Sequence, residues 1–415
     1  MKSRWTWVPS LFAAEEIPSA VVIFVALLMF LQMGSSSAEA TFLTSLLTLP
    51  WIFKPSVQSW VNKTGHFKQI LHVIELLLFI GLIAIAVAFS CGRGWIFISL
   101  FIVSMLCAWH ELTARMYYEH VFSPRIQRLF NGLRMFSAQT ALVMTYGALI
   151  IAVGALEIYF RQIQPAWSMG CYILAGIFLL FALYHMLILK DFPKGNQGTF
   201  KQRAKTQEND TTILERTNKQ RGRWHPVITL FLLLLPQSLM FHTRVLFLID
   251  PKEAGGLGCT IQDIGFAQGT VGVIGFSLGI TLGFRLMKKY NSERLLWQLA
   301  IMLGISPLVY VCMTYFPPNN LGMLCAATLT AQFFFGMGLN VCRIPVRQIS
   351  GEQYRNSIDI LSIPIISACM IIPMAISGLL ATQLGYKTYF IMDLMTAPGG
   401  WLGAYLLTSS RKEDL

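Results

Sequence analysis

A backbone buried in lipid finds no water for its amide groups, so a stretch that crosses a bilayer alone has to be helical, with about 20 apolar residues. The run QILHVIELLLFIGLIAIAVAF, residues 69–89, meets that requirement. Eleven others do so too, near 11–33, 41–61, 95–117, 133–158, 165–189, 225–249, 262–286, 294–316, 320–342, 359–383 and 388–408. Only 13% of the 415 residues are charged and 55% are hydrophobic, whereas a soluble domain carries about 25% charged residues. The expectation is an all-α, multi-pass membrane protein of twelve transmembrane helices. Glu15 and Glu16, with no small-residue cleavage site, make the first stretch a retained span and not a removed leader.

Lys and Arg resist translocation and gather in cytoplasmic loops. With the N-terminus inside, 25 of the 32 fall on the cytoplasmic side, Arg115 among them. Arg93, Arg161, Lys252 and Lys387 lie outside, and Lys54, Arg134 and Arg244 lie within the membrane. The alternation persists through all twelve spans, placing both termini in the cytoplasm. The net charge of +12 is accounted for by topology and gives no reason to expect a nucleic-acid partner. The eight cysteines form no CxxC or Cys/His spacing, so no metal or cofactor is expected. Cys91 and Cys259, both on the outer side, are expected to stay unpaired, and the chain is expected to be a monomer.

Residues 190–224 are the one long polar stretch. They divide the chain into a six-helix half, 1–189, a basic cytoplasmic linker, 190–224, and a second six-helix half, 225–415. In the eighth stretch Gly265, Gly269, Gly272, Gly275, Gly279 and Gly283 form one helical stripe that admits another backbone closely. Static packing explains it, and so does a sliding contact between two halves that rock.

Two six-helix halves around a cytoplasmic tether are similar in outline to the major facilitator superfamily, in which substrate binds near the midplane between the halves. Within it, LPWIFKPSVQSWVNK and FAAEEIP resemble helices two and one of AmpG-type permeases and the related acetyl-CoA transporters. DPKEAGGLGCTIQDIGFAQGTVGVIGFSLGITLGF, AQFFFGMGLN, SGLLATQLGYKTYF and APGG continue the likeness in order. The resemblance implies a transporter of the bacterial inner membrane, importing a peptidoglycan fragment (an anhydro-muropeptide) by proton symport. Three positions depart from the pattern. Asn62 replaces an aspartate, Arg115 stands where helix four has its second acid, and the acid of helix seven is missing near LPQSLMFHTR.

An ionisable side chain at bilayer depth costs at least about 2.5 kcal/mol, so it normally faces a cavity or a partner. Lys54, between Pro50 and Pro55, and Arg134, both matching basic positions of the family, are candidate substrate-binding residues. So are His242 and Arg244 of helix seven, near Gln237, Ser238 and Thr243. Three unmet cations predict an organic anion as substrate. Glu15, Glu111, His110 and Asp393 are the candidates for proton coupling, because desolvation favours the neutral form of a carboxyl. Glu111 also has Arg115 at i,i+4, Glu75 has His72 one turn away, His185 reads as interfacial, and Asp359 as a helix cap. No GxSxG, HExxH or phosphate-binding Gly-Lys-Ser/Thr loop is present, so no enzyme is expected. The rival expectations are an uncoupled facilitator, an exporter of another anionic metabolite, and a non-transporting sensor acting through 190–224.

Overall fold

The computed structural model describes residues 4–190, 224–290, 293–350 and 358–412. The linker expected at 190–224 lies almost wholly outside the described residues. All twelve apolar stretches are helical, in the expected order. They build α1 (Trp5–Gln32), α2 (Ser37–Leu46), α3 (Leu49–Ile52), α4 (Lys54–Thr64), α5 (Phe67–Cys91), α6 (Arg93–Val121), α7 (Arg125–Phe160) and α8 (Ile163–Ile188). After the linker come α9 (Trp224–Ile249), α10 (Ile261–Lys289), α11 (Glu293–Tyr315), α12 (Leu321–Gly338), α13 (Arg343–Ser350), α14 (Ile358–Leu384) and α15 (Tyr386–Lys412). Among the described residues ten helices are long and apolar enough to cross a membrane. The expected spans at 41–61 and 388–408 are helical but not among the ten.

The stretch at 41–61 is not one helix. It breaks after Leu46 and again at Phe53, whose ψ of 0° leaves the helical region. Proline explains the break: Pro50 and Pro55 offer no N–H to the ladder, and each ring crowds the carbonyl four residues earlier. The turn between them is held by Phe53 N–H on Pro50 O at 3.2 Å and Ser56 N–H on Phe53 O at 3.1 Å.

By its contacts the chain divides into two compact units. Unit 1 takes Met1–Met33 and Pro50–Gln220, and unit 2 takes Gly34–Leu49 and Arg221–Leu415, each in its described part. In unit 1, α5 packs on α6 and α8, and α1 on α6 and α7. Its aromatic floor comes from Trp7 stacked on Phe122 at 5.3 Å, with Tyr117 edge-on to Trp7 and Phe130 stacked on Phe122. In unit 2, α10 packs on α12, α15 on α9 and α11, and α14 on α9. The short helix α2 also belongs here, lying on α14 so closely that a Cβ at Gly378 would stand 2.4 Å from Ser37 O.

The glycine stripe of α10 finds its partner inside unit 2. A Cβ at Gly275, Gly279 or Gly283 would meet the backbone of α12 at 2.7, 2.0 and 2.6 Å. The facing Gly336 is equally close to Phe276 O, at 2.3 Å. The stripe is therefore static packing of two helices in one unit, which corrects the alternative of a sliding contact between halves. Small residues are what allow two backbones to touch in lipid, where no hydrophobic drive joins helices.

The loop after α9 is knitted by its own amides. Leu257 N–H donates to Phe247 O, Gly258 N–H to Asp250 O and Cys259 N–H to Leu248 O, at 2.8 to 2.9 Å. Cys259 and Cys91 are free thiols. Burial pushes the Asp250 carboxyl up from the usual aspartate range, and the Tyr386 hydroxyl, donating at 2.5 Å, pulls it partly back. A carboxyl raised in the fold contributes stability that is present below its unfolded pKa, about 3.9, and lost as pH rises through the folded value. Tyr386→Phe removes the restoring hydrogen bond. Thermal unfolding from pH 4 to 8 is expected to show a steeper loss of Tm with rising pH in the variant than in the wild type. Parallel curves would exclude the coupling.

Candidate functional site

The site in unit 1 is assembled from three stretches far apart in sequence. Helix α1 supplies Glu15, the broken segment supplies Trp51 and Lys54, and α6 supplies Glu111 and Arg115. The break at Phe53 places Lys54 on the first turn of α4, and the i,i+4 spacing puts Glu111 and Arg115 on one face of α6. Glu111 is the hub. Its Oε2 accepts from the Lys54 ammonium and, at 3.0 Å, from the Trp51 indole N–H, while its Oε1 lies 3.3 Å from the Arg115 guanidinium. Arg115 Nε reaches on to Glu15 Oε1 at 3.7 Å. Lys54 is 2% exposed and Glu15 and Glu111 are 5% exposed. Two cations and two carboxylates thus share one interior site, arranged as buried ions must be to offset desolvation.

One expectation changes with this geometry. Lys54 brings no unmet charge, since Glu111 neutralises it within the protein. Arg115, near the C-terminal end of α6, is also the bridge between Glu111 and Glu15. One loose end remains: Glu15 Oε2 is buried and accepts no hydrogen bond. Arg134 stands apart, half-buried, with its guanidinium 5.1 Å from the Phe12 ring centre and 6.0 Å from that of Tyr118.

His110 turns away from its neighbour Glu111, about 100° round α6, and faces Glu75 of α5 at 3.5 Å. The same Glu75 oxygen lies 2.5 Å from His185 Nδ1 of α8, and His72 Nδ1 lies 3.5 Å from the other oxygen. His185 Nε2 is 3.0 Å from Ser10 Oγ of α1. His185, expected at the membrane interface, is fully buried within unit 1 and paired with an acid. The His72–Glu75 spacing was visible in the sequence. The two further imidazoles were not, because they arrive from other helices.

Unit 2 holds a second set of buried polar groups. Helix α9 carries Gln237, His242 and Arg244, all under 5% exposed. The Arg244 guanidinium lies 5.0 Å from the Phe241 ring centre, its Nε has no hydrogen-bond partner, and no carboxylate among the described residues pairs with it. His242 Nδ1 is likewise without a partner. Asp393 of α15 is fully buried and neither of its oxygens accepts a hydrogen bond. Gln268 of α10 donates to the Tyr310 hydroxyl at 2.8 Å and receives the Gln332 amide at 3.4 Å. The side chain of Asp359 lies outside the described residues. Among those residues no group of three or more His, Cys, Asp or Glu side chains is arranged for a metal ion.

No family model matches the chain, and no curated protein matches it in sequence. Solved structures do. The nucleoside transporter NupG superposes with a TM-score of 0.71 at 14% identity, covering 99% of both chains. A bacterial homolog of the human lysosomal transporter Spinster, inward-facing and occupied, gives 0.68 at 13% identity, with 99% of this chain and 96% of that one covered. The inward-open xylose transporter XylE from E. coli gives 0.64 at 14% identity, with 95% and 94% covered. The fold is therefore that of the major facilitator transporters. At such identities the likeness speaks for the fold and leaves cargo open.

Proposed function

We propose that the chain is a multi-pass transporter of the bacterial inner membrane that moves a small organic anion by alternating access, coupled to protons. The observation that carries this reading is the buried Glu15–Arg115–Glu111–Lys54 network in a fold whose solved examples are transporters. Four ionisable groups within a lipid-embedded bundle are costly as scaffolding and are characteristic of solute or proton pathways. In this reading Glu15, whose outer oxygen is spare, and Glu111 exchange the proton, and Lys54 and Arg115 answer the charge that is left. Asp393 is the counterpart acid in unit 2. Substrate recognition is assigned to Arg244 with His242, and to Arg134. Arg244 replaces Lys54 as the main reason to favour an anion, since it is a buried cation with which no carboxylate among the described residues pairs. A peptidoglycan fragment rests on the sequence resemblance alone.

Labelled anhydro-muropeptide, with nucleosides, sugars and short peptides as comparison solutes, is to be offered to vesicles containing the protein. Uptake of a negatively charged solute is expected, and collapse of the proton gradient is expected to stop accumulation. Arg244→Gln should reduce uptake about tenfold or more, the equivalent of roughly 1.4 kcal/mol, with Tm unchanged. Uptake restricted to neutral solutes, or indifferent to Arg244→Gln, would remove the anion. Accumulation indifferent to the gradient would favour an uncoupled facilitator.

A further inference from the structure

The Glu75 cluster is separate from the ion network above and has no role in the transport reading as stated. Its protons can be counted from its contacts. Ser10 has one hydroxyl proton and two neighbours, Trp7 O and His185 Nε2, each at 3.0 Å. A carbonyl only accepts, so the Ser10 proton goes to Trp7 O, and His185 Nε2 must then donate. The alternative faces two oxygen lone pairs at 3.0 Å with no hydrogen between them. On the other side of the ring, His185 Nδ1 and Glu75 Oε1 are 2.5 Å apart, a contact that requires a proton between them. The pair therefore carries one proton more than a neutral histidine beside a carboxylate, whichever of the two atoms holds it.

Charge leads to the same count. Glu75 is 1% exposed and, among the described residues, its charged or titratable partners are all imidazoles: His72 on its own helix, His110 on α6 and His185 on α8. No Lys or Arg among the described residues pairs with it. An ionised Glu75 amid three neutral rings would be an uncompensated buried charge, which costs several kcal/mol. One extra proton makes the pair neutral overall.

We propose that Glu75 and His185 form a proton-binding site within unit 1, holding one exchangeable proton between them. His72, one turn along α5, stands beside the pair with its Nδ1 3.5 Å from the other Glu75 oxygen and both ring nitrogens buried. His110 is the inner neighbour, adjacent in sequence to Glu111. The site does not depend on what the chain transports.

The test uses the full-length protein in lipid nanodiscs at neutral pH, read by nitrogen NMR of labelled histidine and by the infrared carboxyl band. The wild type is expected to show either a doubly protonated imidazole that disappears in His185→Gln, or a protonated carboxyl band that disappears in Glu75→Gln. In Glu75→Gln the His185 ring should be neutral with its proton on Nε2. A wild type with neither signal overturns the site, and so does a doubly protonated ring that survives Glu75→Gln. Should Glu75→Gln fail to fold, the wild-type spectrum and His185→Gln decide alone.

Discussion

Replacing Glu111 with glutamine is expected to destabilise the protein by about 3–5 kcal/mol, the usual cost of removing one partner from a buried ion pair. The size follows from its hub position. Glu111 alone meets Lys54, shares Arg115 with Glu15, and accepts the Trp51 indole. Without its charge the Lys54 ammonium is stranded where 2% of the residue is exposed. Lys54→Met should cost less, because Glu111 keeps Arg115. The double variant Lys54→Met with Glu111→Gln should cost less than the sum of its parts, by about 0.5–3 kcal/mol, since Arg115 retains Glu15. Denaturant unfolding of the three variants in detergent reads the cycle. Strict additivity would show that the pair does not interact in the folded protein.

The helices were legible because lipid leaves the backbone so few options, and even the broken segment announced itself through Pro50 and Pro55. Lys54 was legible as an anomaly, a charge in an apolar run. Its resolution was not, because Glu111 lies 57 residues away and the two meet only after α4 packs on α6. The same limit hid the Glu75 site, whose partners His110 and His185 stand 35 and 110 residues along the chain. A histidine three residues from the end of α8 reads as interfacial until a partner from α5 buries it. Arg115 shows a related limit. Counting basic residues per loop reads a cation near a helix end as a topology signal, and only the packed helices show that this one also reaches two acids. Periodicity exposes a face, while the partner of that face is a tertiary fact.

The glycine stripe gives the second large effect, and the same substitution at two glycines is expected to have opposite outcomes. Gly279→Ala places its methyl 2.0 Å from Phe333 O and 2.9 Å from Met337 N, both backbone atoms of α12. No side chain can swing aside there, so α10 and α12 must separate, with loss of contact along Gly275, Gly283 and Gly336 as well. A cost of about 3 kcal/mol, the upper end of ordinary overpacking, is expected. Gly336→Ala should cost a similar amount. The pair together should cost less than the sum, because one displacement of the helices relieves both clashes. Gly176→Ala in α8 is the control: an added Cβ there meets nothing within 4 Å. It should be neutral or stabilising by up to about 1 kcal/mol, through the better helix propensity of alanine. Unfolding of the three variants separates close packing from mere small-residue preference. If Gly279→Ala behaves as Gly176→Ala does, the two backbones are not in contact and unit 2 is held together in some other way.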